Sequence, residues 1–435
     1  MEKQEQEKLP YIPRPEQWIL GTVTLLAGFL YAKMLFGDSF GTVLFTHWPW
    51  EALLAAFTAV FIAAGIFYGQ KMGKRVDWSS NIYLFFTAAA GIWTALWGGD
   101  SRQDICPYVV LFLHGAGVYW VLALSGNRLD GRMDERGLVD LLRGLILLPF
   151  GYFGRWFIAL ANFLRGILAL KTRHSRAAWQ AAAGILLSIP VACIVVPLLM
   201  GADETFNRIV TETAGSLFIW IGSLWNGQRV MVWGVALLVC CYLFGLFYGA
   251  FETAEKEAPR RLSLPPAMLA AFLAMFLILY GLFFLIKLTE IPQALGEIRT
   301  GELLRSTYAR EGFFELCWIA SINFVIFALV NWYWPEGSGE KKGVKTKKVC
   351  LTVLGIQTLA FIFLALFRMG FYIAGFGLTF KRVFTTWFMI VLLVTFLLMT
   401  AGNWRKLDAV RLSVLFGCVT FLMLAYSNIP AWTAG

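Results

Sequence analysis

Two carboxylates at helical spacing, Glu311 and Glu315, are the residues of this 435-residue chain whose positions most directly suggest chemistry. They stand at the start of an apolar stretch, and a separation of four places them one above the other on a single helix face. Like charges at this spacing repel each other unless a cation or a shared proton lies between them. Asn323 continues nearly the same face farther into the stretch. The spacing therefore predicts a polar face that needs a compensating group.

Basic residues that could compensate these carboxylates stand at the end of the next apolar stretch. Arg368 and Arg382 bracket a segment that contains Gly370, Gly375 and Gly377. Glycine lets the backbone bend and approach closely, and non-helical backbone inside a membrane is tolerated only beside protein or a water-filled cavity. The pattern predicts a glycine-rich turn at the mouth of such a cavity.

Together these segments predict a polar cavity in which carboxylates face arginines and hydroxyl groups act as donors. Its candidate residues are Asp203, Tyr308, Arg310, Glu311, Glu315, Asn323, Arg368, Tyr372, Thr379 and Arg382. An ionisable group costs about 2.5 to 3.5 kcal/mol at the centre of a membrane helix, so a group of them needs an explanation. Three interpretations stay open: arginine–carboxylate pairs that only join two spans, an occupied ligand or ion site, and a catalytic site.

The same segments carry a family resemblance. The run Tyr-Ala-Arg-Glu-Gly-Phe-Phe-Glu-Leu at 308–316, then Arg368-Met369 with Tyr372, then Gly-Leu-Thr at 377–379 with Arg382, resembles a bacterial integral-membrane family of unknown function. Pro-Leu-Leu at 197–199 and Ala202-Asp203 with Phe206 also resemble its pattern. The resemblance covers roughly 190–400 and implies a bacterial cytoplasmic membrane without an established activity.

The remaining reactive residues point to no cofactor and no metal. The three histidines, His47, His114 and His174, fall in different segments, and the seven cysteines form no C-x-x-C pair. We interpret His114 as a buried histidine bonded to a neighbouring helix, with a proton-relay role as the alternative. No phosphate-binding loop and no dinucleotide-binding fingerprint is present.

The elements that must position these residues are membrane-spanning helices. Apolar residues make up 59% of the chain and charged residues only 15%, in runs long enough to cross a bilayer. We predict an all-α, polytopic transmembrane bundle with about eleven spans, at 18–36, 49–69, 80–97, 106–125, 179–200, 229–250, 266–288, 310–334, 349–368, 383–401 and 408–428. Two other apolar stretches, within 138–171 and 205–225, contain polar residues that predict interfacial or re-entrant helices.

Basic residues follow every second span, which places those segments in the cytoplasm by the positive-inside rule. The prediction is a bacterial inner-membrane protein with a cytoplasmic N-terminus and an external C-terminus. This distribution explains the net charge of +10 through orientation and attraction to anionic lipid headgroups, so no nucleic-acid partner is needed. The predicted divisions are a cytoplasmic segment 1–17, four spans at 18–125, a cytoplasmic connection 126–178, a seven-span core 179–428 and an external tail 429–435.

Three functions compete at this point. The pattern favours a transporter or channel whose outward-facing cavity takes a proton or cation and couples it to a solute. The second possibility is a sensor or accessory subunit of a signalling or export complex, in which the cytoplasmic helix contacts a protein partner. The third is an enzyme that acts on lipid-linked substrates at the outer leaflet, with Glu311 or Asp203 as the base. The predicted first external loop, Gly37 to Trp48, offers only Asp38 and His47, which weakens the third.

Overall fold

The protein is an α-helical bundle in every part of the chain that the computed structural model describes. The described residues are 14–36, 48–74, 77–98, 104–129, 137–161, 208, 227–253, 263–300, 313–335, 341–405 and 407–427. Within these ranges the structure contains no β-strand. The predicted all-α fold class is confirmed.

The helices follow the predicted spans closely. In chain order they are α1 Pro15–Phe36, α2 Trp50–Lys71, α3 Trp78–Trp97, α4 Cys106–Ser125, α5 Gly137–Leu142, α6 Leu148–Gly151, α7 Arg155–Ala161, α8 Gly227–Glu252, α9 Pro266–Thr300, α10 Phe313–Tyr333, α11 Lys341–Phe376, α12 Phe380–Gly402 and α13 Ala409–Tyr426. Ten of the eleven predicted spans coincide with one of these helices. The other predicted span, 179–200, lies outside the described residues, as does nearly all of the predicted outer helix at 205–225.

Nine helices in the described part of the chain are long and apolar enough to cross a membrane. The helix α3 is long enough, but Ser79, Ser80 and Asn81 make its first turn polar, and it is not among the nine. The helices α5 to α7, joined by a π-helical stretch at Arg143–Leu147, form two parts bent by 40° that together could make a tenth span. The helices α5 to α7 cover the described part, up to residue 161, of the interfacial helix predicted within 138–171.

Local sequence signals explain several helix ends. The Asp77 carboxylate accepts a hydrogen bond from the backbone of Trp78 at 2.7 Å, and a reciprocal bond with Ser80 completes a capping box at the start of α3. A proline stands in the first turn of α4, where its missing N–H costs nothing. Gly126 ends α4 with φ of +74°, a left-handed conformation that favours glycine.

The chain divides into two compact units, and the first contains α1 to α4, the segment from Asp140 through α7, and α8. Its core holds the completely buried aromatic side chains of Tyr68, Trp93, Trp120 and Phe247. Small residues bring helices close: a methyl group added at Gly28 of α1 would collide with the carbonyl oxygen of Ala236 in α8. This contact is typical of membrane helices, where small residues permit close backbone approach.

The second unit contains α9 to α13. Its core includes Phe361 of α11, which is 1% exposed and packs against Tyr280, Phe283 and Phe284 of α9 at centroid distances of 4.6 to 5.3 Å. The helices α9 and α11 have 35 and 36 residues, so each is roughly 50 Å long. A bilayer core needs only about 20 residues, so both helices extend beyond it.

Candidate functional site

The turn between α11 and α12 lies close in sequence to three of the predicted cavity residues, Tyr372, Thr379 and Arg382. The helix α11 continues through Gly370 and Gly375 to Phe376, and of the three glycines only Gly377 lies outside the helix, with φ of +74°. The predicted glycine-rich turn is therefore wrong for Gly370 and Gly375, because the backbone there keeps its helical hydrogen bonds. Thr379 has an extended backbone at the N-cap position of α12, and its side chain makes no capping hydrogen bond.

The Arg382 guanidinium is held at this turn by its own neighbours. Its Nη1 donates to the carbonyl oxygens of Phe376 at 2.7 Å and Gly377 at 2.5 Å, the exposed carbonyls at the end of α11. The guanidinium also lies over the ring of Tyr372, with 4.3 Å between Cζ and the ring centroid. Carbonyl dipoles and a ring orient the group but leave its positive charge in place. Within the described residues no carboxylate forms an ion pair with Arg382.

Arg368 lies one helical turn before Tyr372, so the two share a face of α11. Arg368 is 8% exposed, which is unusual for an arginine, because burying this side chain removes a charge from water. Arg368 therefore shares a helix face with Tyr372, whose ring contacts Arg382, and we call these three residues the arginine cluster. Three of the ten predicted cavity residues belong to it.

Glu315 stands in the first turn of α10 and is exposed. A carboxylate in this position interacts favourably with the positive end of the helix dipole. The four remaining predicted cavity residues lie outside the described residues: Asp203, Tyr308, Arg310 and Glu311. The pairing of carboxylates with Arg368 and Arg382 therefore stays a prediction.

Asn323 occupies a different environment from the arginine cluster. It is completely buried, its Nδ2 donates to Thr358 Oγ1 at 2.9 Å, and its Oδ1 accepts from the Tyr280 hydroxyl at 2.8 Å. The Thr358 hydroxyl in turn donates to the Leu354 carbonyl at 2.7 Å. These bonds connect α9, α10 and α11 inside the second unit. We call Tyr280, Asn323 and Thr358 the polar triad.

Sequence reasoning missed Tyr280 and Thr358 as partners of Asn323. The signal was one hydroxyl in the apolar stretch of α9 and two, Thr352 and Thr358, in that of α11. Hydroxyl groups are frequent in membrane helices because they can bond to their own backbone. Three-dimensional packing was needed to show that both hydroxyls meet the same amide. The hydrogen bonds of the polar triad to two other helices explain why a polar side chain is buried at position 323.

A second polar group lies in the first unit, around Glu252 at the end of α8. Its carboxylate accepts from Gln17 Nε2 at 3.1 Å and the Tyr68 hydroxyl at 3.3 Å, and Arg14 lies 3.8 Å away. Gln17 is only 1% exposed. These contacts join α1, α2 and α8, so Glu252 acts as a structural acceptor for three helices.

His114 is bonded to its own helix. Its Nδ1 lies 2.6 Å from the carbonyl oxygen of Val110, one turn earlier in α4, so the predicted bond to a neighbouring helix is wrong. The rings of Tyr31 and Phe57 flank the imidazole at centroid distances of 5.6 and 6.3 Å. Across the described residues, no group of three or more His, Cys, Asp or Glu side chains is placed to hold a metal ion.

Comparison with known proteins places the chain in a family. No curated protein and no solved structure matches the chain. A family model described as a domain of unknown function, DUF4153, matches residues 84–435. The match confirms the resemblance to a family of unknown function and extends it from α3 through the last helix. This multi-pass membrane protein therefore belongs to the DUF4153 family.

Proposed function

We propose that the chain is a membrane transporter or channel whose substrate site uses the arginine cluster to bind an anionic group. The observation that carries the proposal is the geometry of Arg382, whose guanidinium is fixed by two carbonyls and the Tyr372 ring without a carboxylate partner in the described residues. A fixed positive charge at the end of an apolar helix attracts an anion.

The chemistry of arginine supports an oxygen-containing anion. A guanidinium carries five N–H donors in a plane, and the hydrogen bonds of Arg382 to Phe376 and Gly377 use only Nη1. The remaining donors can form two parallel hydrogen bonds with a carboxylate or a phosphate. Stacking on Tyr372 restricts the side chain before a ligand arrives, which lowers the entropic cost of binding.

Two features support solute passage over a structural role alone. The helices α9 and α11 are longer than a bilayer requires, so both continue past the apolar layer at the predicted external end of the second unit. The predicted carboxylate pair, Glu311 and Glu315, could share a proton and exchange it as the anion binds. Proton exchange coupled to an anion site is a property expected of a transporter.

The proposal is tested by reconstituting the full chain in liposomes and recording currents after concentration jumps of sodium phosphate or sodium glutamate. We expect a current in the wild type that is lost in Arg382→Gln and strongly reduced in Glu315→Gln. Arg405→Gln is the matched control, because Arg405 follows the other end of α12 and is exposed. Equal currents in Arg382→Gln and Arg405→Gln would refute the role of Arg382, and the absence of both current and uptake of radiolabelled phosphate and glutamate in every sample would refute transport of these anions.

A further inference from the structure

A groove of about 450 Å³ lies in the first unit between the beginning of α1 and the short helix α7. Trp18 and Leu25 contribute to one wall, and Trp156 and Leu160 contribute to the other. Its volume falls within the range of roughly 300 to 1,000 Å³ that is typical of small-molecule sites. The groove is in a different unit from the arginine cluster, and the inference does not depend on the proposed function.

Three polar side chains of the groove wall, Trp156, Thr22 and Gln17, direct their donors to partners within the protein. Trp156 Nε1 donates to the Gly21 carbonyl at 3.4 Å, and the Thr22 hydroxyl donates to the Trp18 carbonyl at 3.1 Å. The Gln17 amide donates to Glu252. The described wall therefore presents apolar surface, which suits a hydrocarbon ligand better than a polar solute.

The surroundings of the groove change from polar to apolar along its length. At one end the exposed guanidinium of Arg14 pairs with Glu252 at 3.8 Å. Beside the groove, Ile19, Phe157 and Ile158 are 42 to 48% exposed, as expected for side chains that face lipid. Tryptophan side chains such as Trp18 and Trp156 are typical of the membrane interface. This order of charge, indole and hydrocarbon matches the order of groups in a phospholipid.

We propose that this groove is a binding site for one acyl chain of a membrane phospholipid, with the headgroup directed toward Arg14. The acyl chain would cover the half-buried indole of Trp156 and the side chain of Leu160, which is 39% exposed, and shield both from other lipids. An acyl chain also suits the open side of the groove, because it can leave the site laterally into the bilayer.

The test uses the full chain reconstituted in vesicles of phosphatidylethanolamine and phosphatidylglycerol that contain a trace of each lipid with a photoreactive diazirine on one acyl chain. After irradiation, mass spectrometry of peptides should find labelling concentrated at residues 15–25 and 156–160. Thr22→Trp places a large side chain in the groove and removes only a bond within its own helix. Each buried methylene contributes about a fourfold factor in binding, so excluding two of them predicts a loss of labelling of roughly fifteenfold.

The matched control is Leu26→Trp, which adds the same side chain to an exposed position of the same helix outside the groove. It should keep wild-type labelling. If Thr22→Trp reduces the amount of folded protein, Leu160→Trp provides a second filling of the groove from the opposite wall. Equal labelling in the groove-filling and control variants, or labels spread evenly over all lipid-facing helices, would overturn the proposal. Absence of label from both walls would also overturn the proposal, since it would mean that the groove is empty or filled by another part of the protein.

Discussion

Replacing Asn323 with leucine tests whether this buried amide joins helices or serves a ligand. Leucine has the same number and branching of side-chain heavy atoms, so the change removes two hydrogen bonds without creating a cavity. Hydrogen bonds between membrane helices contribute about 0.6 kcal/mol on average and up to about 1.7 kcal/mol. The Tyr280 hydroxyl, on a side chain that is 7% exposed, also loses its acceptor, and an unsatisfied buried group costs about 1 to 3 kcal/mol. We expect a net destabilisation of about 1 to 3 kcal/mol.

The contribution of one bond can be isolated with a double-mutant cycle. Tyr280→Phe alone should cost about 0.5 to 1.5 kcal/mol, and the coupling between the Tyr280 and Asn323 changes should be about 0.6 to 1.7 kcal/mol. Thr358 keeps its bond to Leu354 in every variant, which limits secondary changes. The free energies come from reversible unfolding in mixed micelles by sodium dodecyl sulfate, followed by circular dichroism.

Ser321→Ala is the matched control in the same helix. Its hydroxyl donates to the Cys317 carbonyl within α10, so we expect a small change and no coupling to Tyr280. A coupling between Tyr280 and Asn323 below about 0.3 kcal/mol would refute the reasoning, since independent sites add within that range. Loss of anion response in Asn323→Leu at unchanged stability would instead assign the amide to a ligand.

Three further changes test other contacts. Gly28→Ala presses a methyl group against the Ala236 carbonyl and should cost about 1 to 3 kcal/mol, whereas Gly234→Ala, whose methyl meets open space, should not lower the thermal unfolding midpoint. Glu252→Gln weakens an acceptor that holds three helices and should cost about 1 to 2 kcal/mol in the same denaturant titration; an unchanged midpoint would contradict this. Arg382→Lys keeps the charge but loses the planar fork, so it should retain part of the anion-induced current that Arg382→Gln loses, and equal currents in the two variants would contradict this.

The positions of the membrane helices follow from the sequence because a bilayer imposes one requirement on every span. About 20 apolar residues must satisfy their backbone internally, and this produces runs that are visible without any structure. The start of α9 at Pro266 and the end of α10 at Tyr333 fall within a residue of the predicted limits. The start of α11 does not, because a helix that leaves the bilayer no longer needs apolar side chains, and its lysine-rich first turns begin at Lys341. At its other end α11 continues past Arg368 to Phe376.

The partners of the polar residues could be predicted only in part. The proximity of Tyr372 and Arg382 follows from their places on either side of a short turn, so the sequence placed them together. Asn323 was predicted to lie with them, but its hydrogen bonds go to Tyr280 and Thr358, which are far from it in sequence. Helix periodicity fixes which residues share a face, and it contains no information about which helix that face will meet.

The central claim is that the arginine cluster binds an oxygen-containing anion, and the most direct measurement is the thermal unfolding midpoint of the purified full chain as a function of inorganic phosphate. A ligand that binds only the folded state stabilises it in proportion to the logarithm of its concentration once the site is saturated. At constant ionic strength, we predict that phosphate raises the midpoint of the wild type and of Arg405→Gln but leaves that of Arg382→Gln unchanged. Parallel curves for all three proteins would contradict the account.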